Sequence, residues 1–380
     1  MLVQCYYSRF INFIKEFRLK VIFLGRYNKS EKLNGPEKFA KRLFKGISAL
    51  NPNSLFIEHY FKGNGGSILK RIFGKEKISV NPRIQRNGFF RLFLFLVKNQ
   101  PDIIHIVTHE RFIIPVFFYR IFLRSRIIIT HHSIVKEELN NSIKMIKKYS
   151  RFKDLLFERL SYKCADMHVF VSETLYLKSK EYYSFDQKDV IIIPNGVDEI
   201  FRYEDRTFDN KAILKILFYN GFGNIFPRGL EYIINALNEV YPKNLFELIV
   251  LGNADATVAP KFNLTSMKQL GSDELAMLMR ETDIFLKSNE FDSFSMMALE
   301  AMTAGMIVIV STNVGVKEYI RNGINGFVYD KNNQEELTKL INEILCLSYD
   351  LNSISQQATQ IQNTLSWKNV CNMYSELYKR

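Results

Sequence analysis

The sequence predicts an α/β protein made of two domains, each a doubly wound parallel sheet. Three observations predict it. The chain has 380 residues, more than one ordinary core needs and enough for two domains. Short apolar runs recur along it with helix-like segments between several of them, the alternation of βαβ units. Those runs are almost continuously apolar, as strands are when both faces of a sheet are covered.

In the first half the strand-like runs are KVIFLG from Lys20, SLFIEHY from Ser54, DIIHIV from Asp102, RIIITHH from Arg126, DMHVFVS from Asp166 and DVIIIPNG from Asp189. A polar, turn-rich stretch follows, PNGVDEIFRYEDRTFDNKA from Pro194, which suits a linker with its hinge between Val197 and Lys211. The second half repeats the pattern with ILKILFYNG from Ile213, LFELIVLGN from Leu245, DIFLKS from Asp283 and MIVIVST from Met306. The tail SWKNVCNMYSELYKR from Ser366 reads as a terminal helix carrying Trp367, Tyr374 and Tyr378. The expected domains are residues 1–198 and 199–365, with the helix 366–380 appended.

Hydrophobic content of 47% with 14% aromatic residues points to a folded globular chain, and 32 Phe with 19 Tyr leave much ring surface to cover. The four cysteines lie far apart with no CxxC and no Cys/His cluster of metal-ligand spacing, which fits a reducing compartment. No apolar run reaches the roughly 18 residues that span a bilayer; FIIPVFFYRIFL from Phe112 is broken by Arg120. The segment before Arg18 contains Lys15 and Glu16 and has no small-residue cleavage site, so it does not read as a signal peptide. The expected location is the cytoplasm.

The net charge of +13 is uneven: residues 1–200 hold 35 Lys and Arg against 18 Asp and Glu, the remainder 17 against 21. The basic half is expected to face something anionic. No nucleic-acid motif is present. Basic and bulky apolar residues alternate in FFRLFLFLVK from Phe89 and in KMIKKYSRFKDLLFERLSYK from Lys144, where Met145, Tyr149, Phe152, Leu156 and Leu160 share a helical face. Each segment alone reads equally as a core-facing helix; the summed excess of charge favours an anionic membrane surface.

The stretch FDSFSMMALEAMTAG from Phe291 places two carboxylates, Asp292 and Glu300, around a helix start that follows a strand and a loop. The unpaired N–H groups of a helix's first turn attract an anion, here a phosphate at Ser295, Met296 and Met297. Glu300, one turn inside, is then placed to accept hydrogen bonds from sugar hydroxyls. The competing reading makes Asp292 or Ser293 a helix cap and Glu300 a solvated helix residue.

Together with IIIPNGVD from Ile191, GSDELAMLMRETDIFL from Gly271 and MIVIVSTNVGVKEYIRNGINGFVYD from Met306, this stretch resembles the glycosyltransferase family 4 pattern on the GT-B fold. The resemblance covers most of the chain, densely in the second half and thinly in the first. It implies sugar transfer from a nucleotide-sugar to a glycan or lipid-linked acceptor with retention of configuration, in bacterial capsule, O-antigen or exopolysaccharide assembly, at the inner face of the plasma membrane. It also implies that the first domain binds acceptor, the second binds nucleotide-sugar, and the terminal helix returns to the first.

By the same resemblance Asp292, where the family has Glu, contacts the transferred sugar, and Glu300 contacts the nucleotide ribose. NGFGNIFPRGLEY from Asn220 offers Gly221 and Gly223 at a strand end and Arg228 opening a helix, matching a phosphate-cradling loop in which Arg228 stands where the family has Lys. The family's Arg is missing there, its place taken by Phe222 or Asn224. Lys287, where the family has Pro, is a substitute cation in one reading and a solvent-facing strand-end lysine in the other. NGPEKFAKRL from Asn34 resembles the family's glycine loop through Gly35, or is a plain turn before a helix with Pro36 at its start. His131, the first of the two histidines that end RIIITHH, matches a histidine that hydrogen-bonds the sugar. No cofactor and no metal are expected, and the sequence has no DxD pair.

Overall fold

The computed structural model describes residues 19–27, 35–59, 67–79, 81–108, 112–140, 152–208, 213–221 and 229–380. The apolar runs of the first half form β1 (Val21–Leu24), β2 (Leu55–His59), β5 (Ile103–Ile106), β6 (Arg126–His131), β7 (Met167–Phe170) and β8 (Val190–Ile192). Two strands that the sequence does not announce, β3 (Lys75–Lys77) and β4 (Ile84–Asn87), extend the sheet at one edge. Their polar composition hides them: β3, the edge strand, is exposed along its length and needs no apolar run, and β4, between it and β2, buries only its end residues Ile84 and Asn87. The order is β3-β4-β2-β1-β5-β6-β7-β8, parallel except that β3 runs antiparallel to β4.

The helices of this lobe are α1 (Gly35–Leu50), α2 (Ile68–Phe73), α3 (Phe89–Asn99), α4 (Ile113–Phe122), α5 (Val135–Asn140), α6 (Phe152–Cys164) and α7 (Glu173–Lys180). Alternation along β1 divides them between two cores. Val21 and Phe23 face a cluster with Phe39, Leu43 and Phe44 of α1, whereas Ile22 and Leu24 face Leu92 and Leu96 of α3 and Val116 of α4.

The second sheet is β11-β10-β9-β12-β13-β14, formed by β9 (Leu214–Gly221), β10 (Phe246–Gly252), β11 (Asn263–Met267), β12 (Ile284–Lys287), β13 (Ile307–Ser311) and β14 (Phe327–Tyr329), all parallel. Its helices are α8 (Leu230–Glu239), α9 (Ser272–Glu281), α10 (Met296–Thr303), α11 (Gln334–Leu345), α12 (Leu351–Thr359) and α13 (Ile361–Leu365).

The last helix, α14 (Trp367–Lys379), packs on α1 of the first lobe and buries Val370, Cys371, Tyr374, Leu377 and Tyr378. Its two buried tyrosine tips are satisfied: Tyr378 Oη lies 2.6 Å from His105 Nδ1 and Tyr374 Oη lies 3.1 Å from Thr130 Oγ1, and Arg126 donates to the Leu377 carbonyl at 2.8 Å. The two chain crossings between lobes meet where Val197 N donates to Leu365 O at 2.8 Å.

In each sheet one early strand has neighbours reached by crossings of opposite direction, β1 between β2 and β5, and β9 between β10 and β12. Such switch points open a crevice at the carboxyl ends of the strands. Among the described residues no helix is long and apolar enough to cross a membrane.

Candidate functional site

β9 ends at Gly221 beside β12, which ends at Lys287, so both meet at the switch point of the second sheet. The Lys287 ammonium stands 5.5 Å from the centroid of the Tyr219 ring of β9 and 3.1 Å from Asp292 Oδ2. Lys287 is only 2% exposed, so it is no solvent-facing lysine. Asp292 is held from both oxygens, because Oδ1 accepts the Phe294 N–H at 3.2 Å. A cation and a carboxylate therefore sit paired at the mouth of the loop. Gly229, the residue before α8, has φ +87°, and a Cβ there would lie 2.3 Å from the Ser288 carbonyl oxygen. Only glycine lets the α8 start sit this close to the end of β12.

The helix start itself differs from the capping that Asp292 or Ser293 would provide. Ser295 is the N-cap of α10, with φ +68° and no capping hydrogen bond from its side chain. Its Oγ is buried and has no hydrogen-bond partner among the described residues. The first-turn amides at Met296 and Met297 are left for an outside acceptor. Across the seam lies the start of α1: a Cβ on Gly35 would come within 3.6 Å of Met296 Sδ. Two helix N-termini, one from each lobe, converge there, and their partial positive charges add.

Glu300, one turn into α10, is 3% exposed rather than solvated. Its Oε1 accepts from Lys38 Nζ of α1 at 2.5 Å, and the same ammonium lies 3.3 Å from Asp198 Oδ2 in the linker and 4.9 Å from the Phe201 ring centroid. Arg42, one turn after Lys38, grips Asp198 with two bonds, Nε to Oδ1 at 2.8 Å and Nη2 to Oδ2 at 2.9 Å. Burial raises the Glu300 pKa above the usual carboxylate value, and Lys38 opposes that rise. Burial lowers the Lys38 pKa, but Glu300 and Asp198 outweigh it and leave the amine above its ordinary value. Lys38, Arg42 and Asp198 were not anticipated from sequence. Their signal was present in the helical spacing of Gly35, Lys38 and Arg42, which puts all three toward one side of a helix.

The lobes touch around the same loop. Ser172 Oγ of the first lobe donates to the Ser293 carbonyl at 2.5 Å, Ser293 Oγ donates to the His132 carbonyl at 2.5 Å, and the Glu318 carboxylate caps the α7 start through the Glu173 and Thr174 amides. His131, expected by resemblance to hydrogen-bond the sugar, is enclosed by protein. His131 is fully buried, stacked 4.5 Å from Tyr162 and 4.7 Å from Phe170 by ring centroids, with Nε2 2.9 Å from His168 Nδ1. The strand pleat turns it into an aromatic core, and its neighbour His132 reaches the seam through its backbone. Gly223 and Arg228, with Phe222 and Asn224, lie outside the described residues.

Comparison with known proteins finds two family models along the chain. The model described as "Glycosyltransferase Family 4" matches residues 40–200, and the model described as "Glycosyl transferases group 1" matches residues 227–361. Two uncharacterized glycosyltransferases of Methanocaldococcus jannaschii are similar to the chain. One is 23% identical over 40% of this chain and 42% of its own length, the other 26% identical over 79% and 80%. Thus the chain spans less than half of the first and most of the second. An Escherichia coli UDP-Gal:alpha-D-GlcNAc-diphosphoundecaprenol alpha-1,3-galactosyltransferase is 23% identical over 68% of this chain and 69% of its own. Among solved structures, sucrose-phosphate synthase from Thermosynechococcus elongatus superposes with a TM-score of 0.72 at 14% identity, covering 95% of this chain and 98% of that one. Anabaena HepE in complex with UDP and glucose superposes with a TM-score of 0.68 at 15% identity, covering 95% and 99%.

Proposed function

We propose that this chain, whose two halves match the family 4 and group 1 glycosyltransferase models and whose fold is that of the GT-B enzymes, is a retaining, metal-independent hexosyltransferase of family 4 that uses a nucleotide-sugar. The observation that carries this reading is the convergence of the α1 and α10 N-termini beside a buried Glu300. A departing diphosphate gains negative charge as the anomeric C–O bond breaks, and first-turn amides from two helices are fixed donors for that charge. Ser295, Met296 and Met297 supply one set, and Gly35 begins the other. Glu300 takes the ribose hydroxyls, and Asp292, oriented by Lys287, takes the transferred sugar. Gly221, Gly223 and Arg228 complete the phosphate loop in this proposal.

The acceptor proposed is a growing, lipid-linked surface glycan at the inner face of a bacterial membrane, supported by the E. coli relative whose name describes transfer to a diphosphoundecaprenol-linked sugar. Support for contact with an anionic bilayer comes from one face of the first lobe. Helices α2, α3, α4 and α6 pack each on the next and expose Leu69, Phe73, Phe90, Ile121, Phe122 and Phe152, with Leu69 and Phe122 each 72% exposed. The same four helices carry eight Lys and Arg against Asp154 and the buried Glu158. Apolar rings ringed by cations match an interface of acyl chains and anionic headgroups.

Thermal melting against UDP-, GDP- and ADP-sugars tests the donor, since a bound ligand stabilises in proportion to the logarithm of its excess over Kd. One panel member is expected to raise the melting temperature and to be consumed with release of nucleotide. Binding without hydrolysis or transfer across the panel would make the chain a binding module instead. For the membrane, sedimentation with phosphatidylglycerol vesicles is expected at low salt and should weaken at high salt and in Phe122→Glu. Equal behaviour with neutral phosphatidylcholine would remove the bilayer from the proposal.

A further inference from the structure

Glu300 and its partner come from different lobes. Lys38 lies in the first turn of α1, reaches across the seam to Glu300 Oε1 at 2.5 Å, and is tied through Asp198 to Arg42 of its own helix. The ammonium is nearly enclosed, with 13% of its side chain exposed against 5% for Glu300 and 8% for Asp198. Among the described residues, no hydrogen bond reaches Glu300 Oε2, so one oxygen is held by the protein and the other is left for a ligand. Phe201, on the linker side, faces the ammonium with its ring centroid 4.9 Å from Nζ.

We propose that Lys38 is the positioning residue of the donor site: it keeps the Glu300 carboxylate ionised and aimed at the nucleotide ribose, and does so only when the first lobe is seated against the second. This rests on the proposed role of Glu300. A carboxylate buried in a helix of one lobe cannot stay charged without a nearby cation, and here the cation is delivered by the other lobe. Separating the lobes would remove it, so ribose binding and lobe seating are coupled. Asp198 and Arg42 make the delivery rigid, because the bidentate grip of Arg42 fixes the carboxylate that holds the second side of the ammonium.

The charged groups that act on Glu300 are Lys38 and Asp198, the first favouring its ionised form and the second opposing it. Replacing Lys38 by Met therefore leaves Glu300 with burial and Asp198, both of which push its pKa up. The readout is the affinity for UDP, GDP and ADP, measured by calorimetry from pH 6 to pH 8.5 on the full chain as wild type, Lys38→Met, Lys38→Gln, Lys38→Arg and Glu300→Ala.

Wild type is expected to bind its preferred diphosphate with a profile set by the ligand's own phosphate ionisation near pH 6 and by no protein group. Lys38→Met and Lys38→Gln should bind about tenfold more weakly at pH 6 and recover as pH rises, a change of about 1.4 kcal/mol at the acid end. Lys38→Arg should restore the wild-type profile, and Glu300→Ala should be weak at every pH. If Glu300→Ala weakens binding while both Lys38 variants match wild type throughout, the positioning role fails and the ribose reading stands. Should Glu300→Ala bind as well as wild type, the ribose reading itself fails. A pH-independent loss in the Lys38 variants would make Lys38 a structural strut and also overturns the inference.

Discussion

At the scale of single residues, Ser295 combines two unfavourable features. It holds a left-handed φ of +68°, and its buried Oγ has no partner among the described residues. A side chain in that region costs roughly 1–2 kcal/mol, and an unpaired buried hydroxyl adds to it. Such strain survives where the surroundings over-determine the backbone, and it turns the following amides toward the seam between lobes. Ser295→Gly is therefore expected to stabilise the fold by about 1–2 kcal/mol in urea unfolding, the size of the strain released. No gain would mean the backbone is relaxed. Much of this loop was legible beforehand: the carboxylate pair and the helix after it are read directly from FDSFSMMALEAM. The pairing of Lys287 with Asp292 was not, because two charges five residues apart meet only when a strand end and a loop fold back on each other.

Among elements, the seat of α14 on α1 depends on one missing side chain. A Cβ on Gly46 would fall 2.2 Å from Cys371 Sγ. Gly46→Ala would gain about 1 kcal/mol of helix propensity, yet forcing a methyl into that contact costs about 1–3 kcal/mol, so a net loss of stability is expected. In a Cys371→Ala background most of that loss should vanish, because the sulfur is gone. Urea melts of the two single variants and the double variant form a cycle, and simple additivity would show that the helices do not meet there. Sequence periodicity finds helices such as α14 from their own residues, since an apolar stripe declares a buried face. It misses β3 and β4, short and largely polar strands that carry no such stripe.

For the molecule as a whole, acid should undo the first lobe. Burial pulls the His105 pKa down to about 3, with His132 adding to the effect, and burial pulls His168 down to about 4. Both values lie below the ordinary one, so the unfolded chain binds protons first. The stability these groups contribute is complete above about pH 6.5 and is lost as pH falls toward 4 and then 3. Two histidines give a slope of about 2.7 kcal/mol per pH unit in that window. Melting temperatures are expected to hold between pH 7 and 8 and to drop steeply from pH 6 to 5, with a shallower drop in His105→Gln. A flat profile down to pH 5 would show that these imidazoles are hydrated. The two sheets, their parallel sense and the loop with two carboxylates were determined by the sequence alone, because periodicity and helix-start chemistry are local properties of neighbouring residues. Only the tertiary structure decided that Glu300 is served by Lys38 from 262 positions away and that His131 turns into an aromatic core. Burial and charge pairing are set by which elements pack together, and no short stretch of chain contains that information.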